Sequence, residues 1–325
     1  MSADKRFMAN ALALAEQARG QSAPNPNVGC VIVSKNERVV GRGATAAGGR
    51  PHAEAIALEQ AGKRARDATV YVTLEPCAHE SPRGPACTEL LLAAKPERVV
   101  IALKDPDPRT SGKGVARLRK AGIEVTLGVG REAARKSLAG WLTQLELGRP
   151  RVTLKLALSI DGKIALPSGE SKWITGEDAR RHVHLERAHS DMILVGRGTF
   201  LADRPRLDVR LPGLEERSPR RALLTRGDPV EGWETLRDPQ DVYRLHDVNE
   251  LLVEGGSTTA TAFLTEDLAD RILIYRAPII VGEGKSSFGY VGLDAIADAH
   301  GRWRFVDEQA LGVDRLEVYE RVREG

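Results

Sequence analysis

At 325 residues the chain is long enough for two ordinary domains, and 42% hydrophobic against 29% charged residues excludes a disordered or fibrous protein. A net charge of +3 gives no strong drive towards nucleic acid or an anionic membrane. Three cysteines are too few for a disulfide framework; no apolar run approaches a membrane span, and Met1 to Arg19 lacks a signal-peptide core, so the cytoplasm is expected.

Phe7, Ala11, Leu14 and Ala18 recur at helical spacing ahead of Gly20, which predicts a first helix. Strands follow at Val28–Val33 and Val39–Gly41, a helix at Ala53–Ala61, and a strand at Thr69–Leu74. Further strands are expected at Val99–Ala102 and Glu124–Gly128, with short helices at Cys87–Ala94 and Val115–Lys120. This alternation predicts a layered α/β sheet. One long helix is expected over Glu132–Leu147, ending at Gly148-Arg149-Pro150, so the domain boundary falls there: 1–148 and 149–325. A second α/β series opens with the strand Val152–Leu158.

Pro51-His52-Ala53-Glu54 sits where a loop enters a helix; Glu75-Pro76-Cys77 follows a strand, and Cys87 comes ten residues later. Zinc takes imidazole and thiolate ligands, and a catalytic zinc keeps one of about four positions open for water. His52, Cys77 and Cys87 meet that need, with one zinc per chain, and Glu54 is close enough in sequence to move protons. A lone His-x-Glu is a weak signal, and a buried cysteine is usually a small hydrophobe, as expected for Cys30. Taken as a set, His-Ala-Glu, Pro-Cys and a further Cys match the zinc-deaminase signature.

In the second half, Val152, Leu154, Leu156 and Leu158 alternate with Lys155, Ala157 and Ser159. The polar face suits either a site or an edge facing solvent. Val195-Gly196-Arg197-Gly198-Thr199 and Leu252-Val253-Glu254-Gly255-Gly256-Ser257-Thr258 are glycine-rich turns after strands, the second leading into a helix over Thr259–Leu264. Such turns suit a nucleotide phosphate or ordinary turn geometry, and neither is a dinucleotide fingerprint.

The motifs Pro24-Asn25-Pro26-Asn27-Val28-Gly29, His52-Ala53-Glu54, Leu74-Glu75-Pro76-Cys77-Ala78-His79 and Asp105-Pro106-Asp107-Pro108 resemble the deaminase half of the bifunctional riboflavin-biosynthesis deaminase/reductase family. Lys155 to Lys163, Ser168 to Thr175 and Leu201-Ala202-Asp203 through Arg210 resemble its reductase half. The resemblance covers residues from about 5 to 320 and implies two three-layer α/β domains, the N-terminal one cytidine-deaminase-like and the C-terminal one dihydrofolate-reductase-like. It implies zinc and NADPH as cofactors, a small phosphorylated pyrimidine as substrate, and a homo-oligomer without nucleic-acid or membrane partners.

By the same resemblance, Glu54 is catalytic and His52, Cys77 and Cys87 hold zinc, while Asn25 or Asn27 contacts the pyrimidine and Arg83, with His79, the phosphate. Ala157, Trp173, Thr199, Asp203 and the run Gly256, Ser257, Thr258, Thr259, Ala260, Thr261, Ala262 contact NADPH. Ser171, Arg187, Leu207, Arg210 and Glu254 contact the substrate. Two departures stand out. Nine residues separate Cys77 from Cys87, one more than the family's usual eight or so, and Leu223-Leu224-Thr225-Arg226-Gly227 replaces its Asp-Ser, so a strand and a cofactor contact are expected to change between Arg210 and Leu251.

Two rivals are weaker. Deaminases of free bases or of tRNA adenosine carry a short Cys-x-x-Cys loop, which is absent here. A zinc-stabilised nucleic-acid-binding protein would want a fourth protein ligand, and 4% aromatic residues leave few stacking platforms.

Overall fold

A computed structural model describes residues 2–79, 81 and 83–323, and the chain divides into two compact units between Leu147 and Gly148. The first contains α1 (Ala3–Ala18), β1 (Gly29–Val33), β2 (Val39–Ala44), α2 (Ala53–Ala61), β3 (Thr69–Leu74), α3 (Cys87–Ala94), β4 (Arg98–Leu103), α4 (Lys113–Lys120), β5 (Glu124–Leu127), α5 (Arg131–Ser137) and α6 (Ala139–Leu147). Its sheet runs β2-β1-β3-β4-β5, with β1 antiparallel to both neighbours and β3, β4 and β5 parallel. The central strands read as continuous apolar runs because helices cover both faces: α1 packs with α5, and α2, α3 and α4 pack in a row.

Small residues set how closely α2 lies on the sheet. Ala53, Ala57 and Ala61 are all buried on one helix face, opposite Gly41 and Gly43 of β2. A Cβ on Gly43 would stand 2.4 Å from the Ala53 carbonyl oxygen, and one on Gly41 would stand 2.1 Å from that of Ala57. Backbone cannot yield locally to such contacts, so Gly43→Val must push the start of α2 off the sheet. That start carries His52 and Glu54. Purified Gly43→Val protein is expected to hold less than about half the zinc of the parent by metal analysis, following the roughly 1–3 kcal/mol typical of overpacking. Full zinc content would show that the close approach does not position the site.

The single helix expected over Glu132–Leu147 is two. Leu138 separates α5 from α6, and the Ser137 carbonyl oxygen, which would continue the helical ladder, accepts instead from Asn27 Nδ2 at 3.2 Å. Asn27 Nδ2 also lies 3.1 Å from Ser137 Oγ and 3.3 Å from the Ala15 carbonyl oxygen. Asn27 is therefore a buried structural tie whose amide nitrogen is turned into the fold.

The second unit contains β6 (Arg151–Leu158), β7 (Lys163–Ala165), α7 (Glu177–Ala188), β8 (Met192–Gly196), α8 (Arg197–Asp203), β9 (Arg220–Leu224), β10 (Glu234–Leu236), β11 (Glu250–Val253), α9 (Ser257–Thr265), β12 (Arg271–Arg276), β13 (Lys285–Ser286), β14 (Trp303–Leu311) and β15 (Asp314–Arg321). Its main sheet runs β10-β9-β8-β11-β6-β12-β15-β14. The six strands from β10 to β12 are parallel, β15 and β14 close the sheet antiparallel, and β7 pairs separately with β13. β6 lies between β11 and β12, so the face carrying Lys155 and Ala157 is not a sheet edge.

Parallel strands bring the ends of β6, β8, β9 and β11 to one rim, where open α/β sheets place ligands. At the opposite end of β6, Arg149 is 2% exposed and grips Asp270 at 2.6 and 2.8 Å, while Asp270 also accepts from the Val152 N–H. The strand expected to be altered between Arg210 and Leu251 is present: β9 pairs in register with β8, Gly196 opposite Leu224, and β10 extends the sheet beyond it.

Candidate functional site

His52 is the N-cap of α2, Cys87 is the first residue of α3, and Cys77 follows the end of β3. The ligand atoms of all three lie within 4.8 Å of one another, and they form the one such His/Cys/acidic cluster among the described residues. His52 Nδ1 stands 3.3 Å from Cys87 Sγ and 3.6 Å from Cys77 Sγ. Zinc–sulfur bonds of about 2.3 Å and zinc–nitrogen bonds of about 2.0–2.1 Å at tetrahedral angles require roughly 3.5 Å between S and N. The trio fits zinc. His79 turns elsewhere, its Nδ1 3.4 Å from Thr110 Oγ1, and is not part of the cluster.

The surroundings favour thiolate at Cys77. The Cys87 thiol and the Cys87 backbone N–H, 3.2 Å from Cys77 Sγ, hold its pKa down, whereas donation to Cys77 and burial push Cys87 up. Two helix N-termini meet here, adding positive potential where ligand anions are needed. Glu54 sits in the first turn of α2, 3% exposed, with Cys87 as a hydrogen-bond partner. Burial lifts its pKa, more than the nearby His52 offsets.

Glu75 lies two residues before the ligand Cys77. Its buried carboxylate accepts from the Val115 and Gly112 N–H groups at 3.0 Å and from the Asp105 N–H at 3.3 Å. Gly114 must be glycine beside it, because a Cβ there would stand 2.5 Å from the Pro76 carbonyl oxygen. The Asp105–Gly114 loop thus clamps the peptide that carries Cys77. Only the tertiary fold reveals this, since 30–40 residues separate the partners.

Asn25 Nδ2 lies 3.1 Å from His52 Nε2 and 2.8 Å from the Gly49 carbonyl oxygen, so it braces the outer side of the imidazole. Arg83 is exposed and reaches the Gly48 carbonyl oxygen at 2.6 Å, drawing the loop between the two cysteines towards the His52 loop. Glu80 and Pro82 of that loop lie outside the described residues.

The two glycine-rich turns of the second unit meet. A Cβ on Gly196 would stand 2.1 Å from Thr259 Oγ1, and one on Gly255 would stand 2.5 Å from Thr259 Cβ. Thr199 Oγ1 faces Gly256 from the other turn. This leaves Gly256, Ser257 and Thr258 at an open helix start, a cradle that suits a nucleotide's diphosphate. Thr259 and Ala260 are buried, Ala260 within the core, and Thr261 Oγ1 accepts from the Gly289 N–H. Gly256, Ser257 and Thr258 thus open the run from Gly256 to Ala262, with the later residues continuing into α9. Trp173 is 68% exposed beneath the Arg180 guanidinium, so it is no core aromatic; Asp203 pairs with Lys172 at 2.7 Å, and Ser171 and Ala157 are half-buried.

Arg187 is not a solvated helix charge. It grips Glu254 through Nε at 2.7 Å and Nη2 at 3.0 Å, and it donates to the Asp208 carbonyl oxygen. Burial pushes the Glu254 pKa up, but Arg187 and Lys155 outweigh it and hold the carboxyl below its usual range. Lys155 Nζ stands 3.9 Å from Glu254 Oε2, and burial lowers its pKa. Alternation in the sequence puts Lys155 on the face shared with Ala157 but carries no sign of its carboxylate partner. Arg210 is exposed near Asp208. The Leu207 side chain packs with Ile193, Val195, Leu223 and Leu252 in the core, leaving its backbone for a ligand.

A zinc triad with a buried carboxylate on one α/β sheet, followed by a parallel-rimmed sheet with a phosphate cradle, defines a zinc-dependent deaminase joined to a reductase. The family model for the cytidine and deoxycytidylate deaminase zinc-binding region matches residues 1–103, and that for the RibD C-terminal domain matches 150–231 and 240–316. Curated relatives include the riboflavin biosynthesis protein RibD of Aquifex aeolicus, 40% identical over 91% of this chain and 92% of that protein. RibD of Escherichia coli is 38% identical over 96% and 97%. Among solved structures, Acinetobacter baumannii RibD superposes with a TM-score of 0.88 at 35% identity, covering 99% of both chains. A deaminase/reductase from Thermotoga maritima gives 0.89 at 32% identity over 98% and 99%. The chain belongs to the RibD family of bifunctional riboflavin-biosynthesis deaminase/reductases.

Proposed function

We propose that the first unit removes the 2-amino group of a diaminopyrimidinone ribosylamine 5′-phosphate, and that the second reduces the ribosyl group of the product to ribityl. The observation that carries the first step is the His52, Cys77 and Cys87 trio with buried Glu54 beside it. Zinc held there supplies a Lewis acid that acidifies water. Glu54 takes the first proton of the attacking water and passes it to the ring nitrogen, then takes the remaining hydroxyl proton and gives it to the departing amine. A C–O bond forms, the C–N bond breaks, and ammonia leaves. Burial raises the proton affinity of Glu54, which suits a group that must take up and return a proton. Asn25 orients His52 next to the pyrimidine, and Arg83 offers a cation to the phosphate.

In the second unit NADPH, when bound, supplies hydride for C1′ of the ribose. Gly256, Ser257, Thr258 and Thr199 cradle the cofactor, with Trp173, Ala157 and Asp203 beside them. Arg187, Glu254, Ser171 and Arg210 receive the substrate. As the ring opens, its oxygen needs a proton; Lys155, an ammonium whose acidity burial increases, is the donor on that face. The same reading takes the chain to be a cytoplasmic homo-oligomer acting on small molecules. Edge strand β14, nine residues long with Phe305 53% exposed, supports self-association, and no described helix is long and apolar enough to cross a membrane.

The test supplies the phosphorylated pyrimidine to the purified, zinc-loaded protein and follows ammonia, then NADPH absorbance. Ammonia followed by NADPH loss at one equivalent each is expected. Ammonia without NADPH loss would refute the reductase half, and no ammonia would refute the substrate assignment.

A further inference from the structure

Between α8 and β9 the chain runs through residues 204–210 as neither helix nor strand, so the backbone that carries Arg210 must find side-chain partners. Leu207 and Val209 are buried, and Leu207 holds a φ of +57°, a conformation that a leucine keeps only where its surroundings fix it. The Val209 N–H donates to Ser218 Oγ at 2.9 Å. The rest of the grip comes from one face of α7. Arg187 Nη1 donates to the Asp208 carbonyl oxygen at 3.0 Å, and His184, one turn earlier on the helix, reaches the same segment.

His184 Nδ1 has two neighbours of opposite demand. The Asp208 carbonyl oxygen, 3.1 Å away, needs a proton on that nitrogen, and the Arg210 N–H, 3.2 Å away, needs its lone pair. One ring nitrogen cannot serve both. Arg187 already donates to the carbonyl, whereas the Arg210 N–H has no other acceptor among the described residues. The arrangement that leaves no group unmet is a neutral imidazole with its proton on Nε2 and its Nδ1 accepting from Arg210. The charges around the ring agree. Arg187 on α7 and Arg210 on the loop face it, while the carboxylates of Glu254, just past β11, and of Asp208 are taken up by Arg187 and Lys155 and by Arg206 and Arg210. Burial, then the two guanidiniums, hold the His184 pKa below the usual histidine range.

We infer that His184 is a positioning residue of the reductase site: its neutral ring, accepting from the Arg210 N–H, fixes the backbone from which Arg210 meets the substrate. This rests on the reading above that Arg210 receives the substrate. A proton arriving on Nδ1 turns that nitrogen to the Asp208 carbonyl, strips the Arg210 N–H of its acceptor and adds a further cation beside Arg187 and Arg210. The hold on the substrate therefore weakens as pH falls through the titration of His184 and is steady above it.

Nitrogen NMR of the full-length protein with labelled histidine reads the tautomer directly, the His184 signal being the one lost in His184→Asn. At about pH 8, above the ordinary imidazole range, an unprotonated Nδ1 and a protonated Nε2 are expected, and a proton on Nδ1 there overturns the inference. In NADPH oxidation with the deaminated pyrimidine, His184→Leu is expected to raise KM by about two- to tenfold and leave kcat within about twofold, as the loss of one hydrogen bond. Asparagine brings an oxygen close to where Nδ1 stands, so His184→Asn should restore KM and flatten its rise on the acid side. The substrate phosphate titrates near about pH 6 in both proteins, so the difference between their profiles belongs to His184. A His184→Asn profile superimposable on the parent's, a parental KM in His184→Leu, or a parent whose KM falls on the acid side each overturns the inference. Thermal midpoints near that of the parent establish that the variants are folded; if His184→Leu does not fold, the tautomer and the His184→Asn profile still decide. Arg210→Ala should raise KM by about tenfold or more. A parental KM in that variant, or a parent that oxidises no NADPH, refutes the substrate reading instead, and the positioning role falls with it.

Discussion

Glu54→Gln is expected to lower ammonia release by about 10²–10⁴-fold while zinc remains at one per chain. Glutamine matches the buried carboxylate in size, so α2 keeps its packing through Ala53, Ala57 and Ala61. The ligand atoms belong to His52, Cys77 and Cys87, none of which is touched. What is lost is the group able to accept a proton from water and return it. Metal analysis and an ammonia assay on the same preparation separate the two effects. A normal rate with zinc in place would mean that another group moves the proton. Reduction of pre-deaminated intermediate by the variant should continue, because its residues lie in the other unit.

Glu254→Ala has the largest expected effect on the second unit. It removes the carboxylate that neutralises Arg187 and Lys155, whose side chains are 11% and 19% exposed. Breaking a buried pair by deleting one partner typically costs about 3–5 kcal/mol, because the remaining charge is left without compensation. Denaturant unfolding should show the second unit's transition at markedly lower denaturant, and NADPH oxidation should be lost while ammonia release persists. Glu254→Gln, which keeps hydrogen bonding but not charge, should fall between the two. An unshifted transition in Glu254→Ala would show that the ion pair contributes no stability and that Arg187 finds solvent or another partner.

The elements nearest the metal were legible almost to the residue. The helix at Ala53–Ala61, the strand at Thr69–Leu74 and the helix at Cys87–Ala94 all form as expected, because buried runs and small-residue faces leave a strong period in the sequence. The helix over Glu132–Leu147 was not, since its interruption comes from an asparagine more than a hundred residues away. The strand feared altered near Leu223 is intact because its buried Ala222 and Leu223 satisfy the sheet whatever follows them. Nothing local in the sequence marks Arg187 as buried, because a helix of mostly polar residues hides which face is covered.

The sequence by itself determined the kinds of chemistry present: one imidazole, two thiols and a carboxylate in a recognised order, then two glycine-rich turns after strands. Residue type and local spacing are short-range properties, and they sufficed to name the metal and the division into two halves. Only the tertiary structure decided which atoms meet. It turned Asn27 and Leu207 inward, made Glu75 the clamp behind Cys77, and paired Glu254 with Arg187. Those contacts arise from strand order and helix packing between residues far apart in the chain. Burial and pairing, which set the protonation and energy of a charged group, exist only once the sheets have formed.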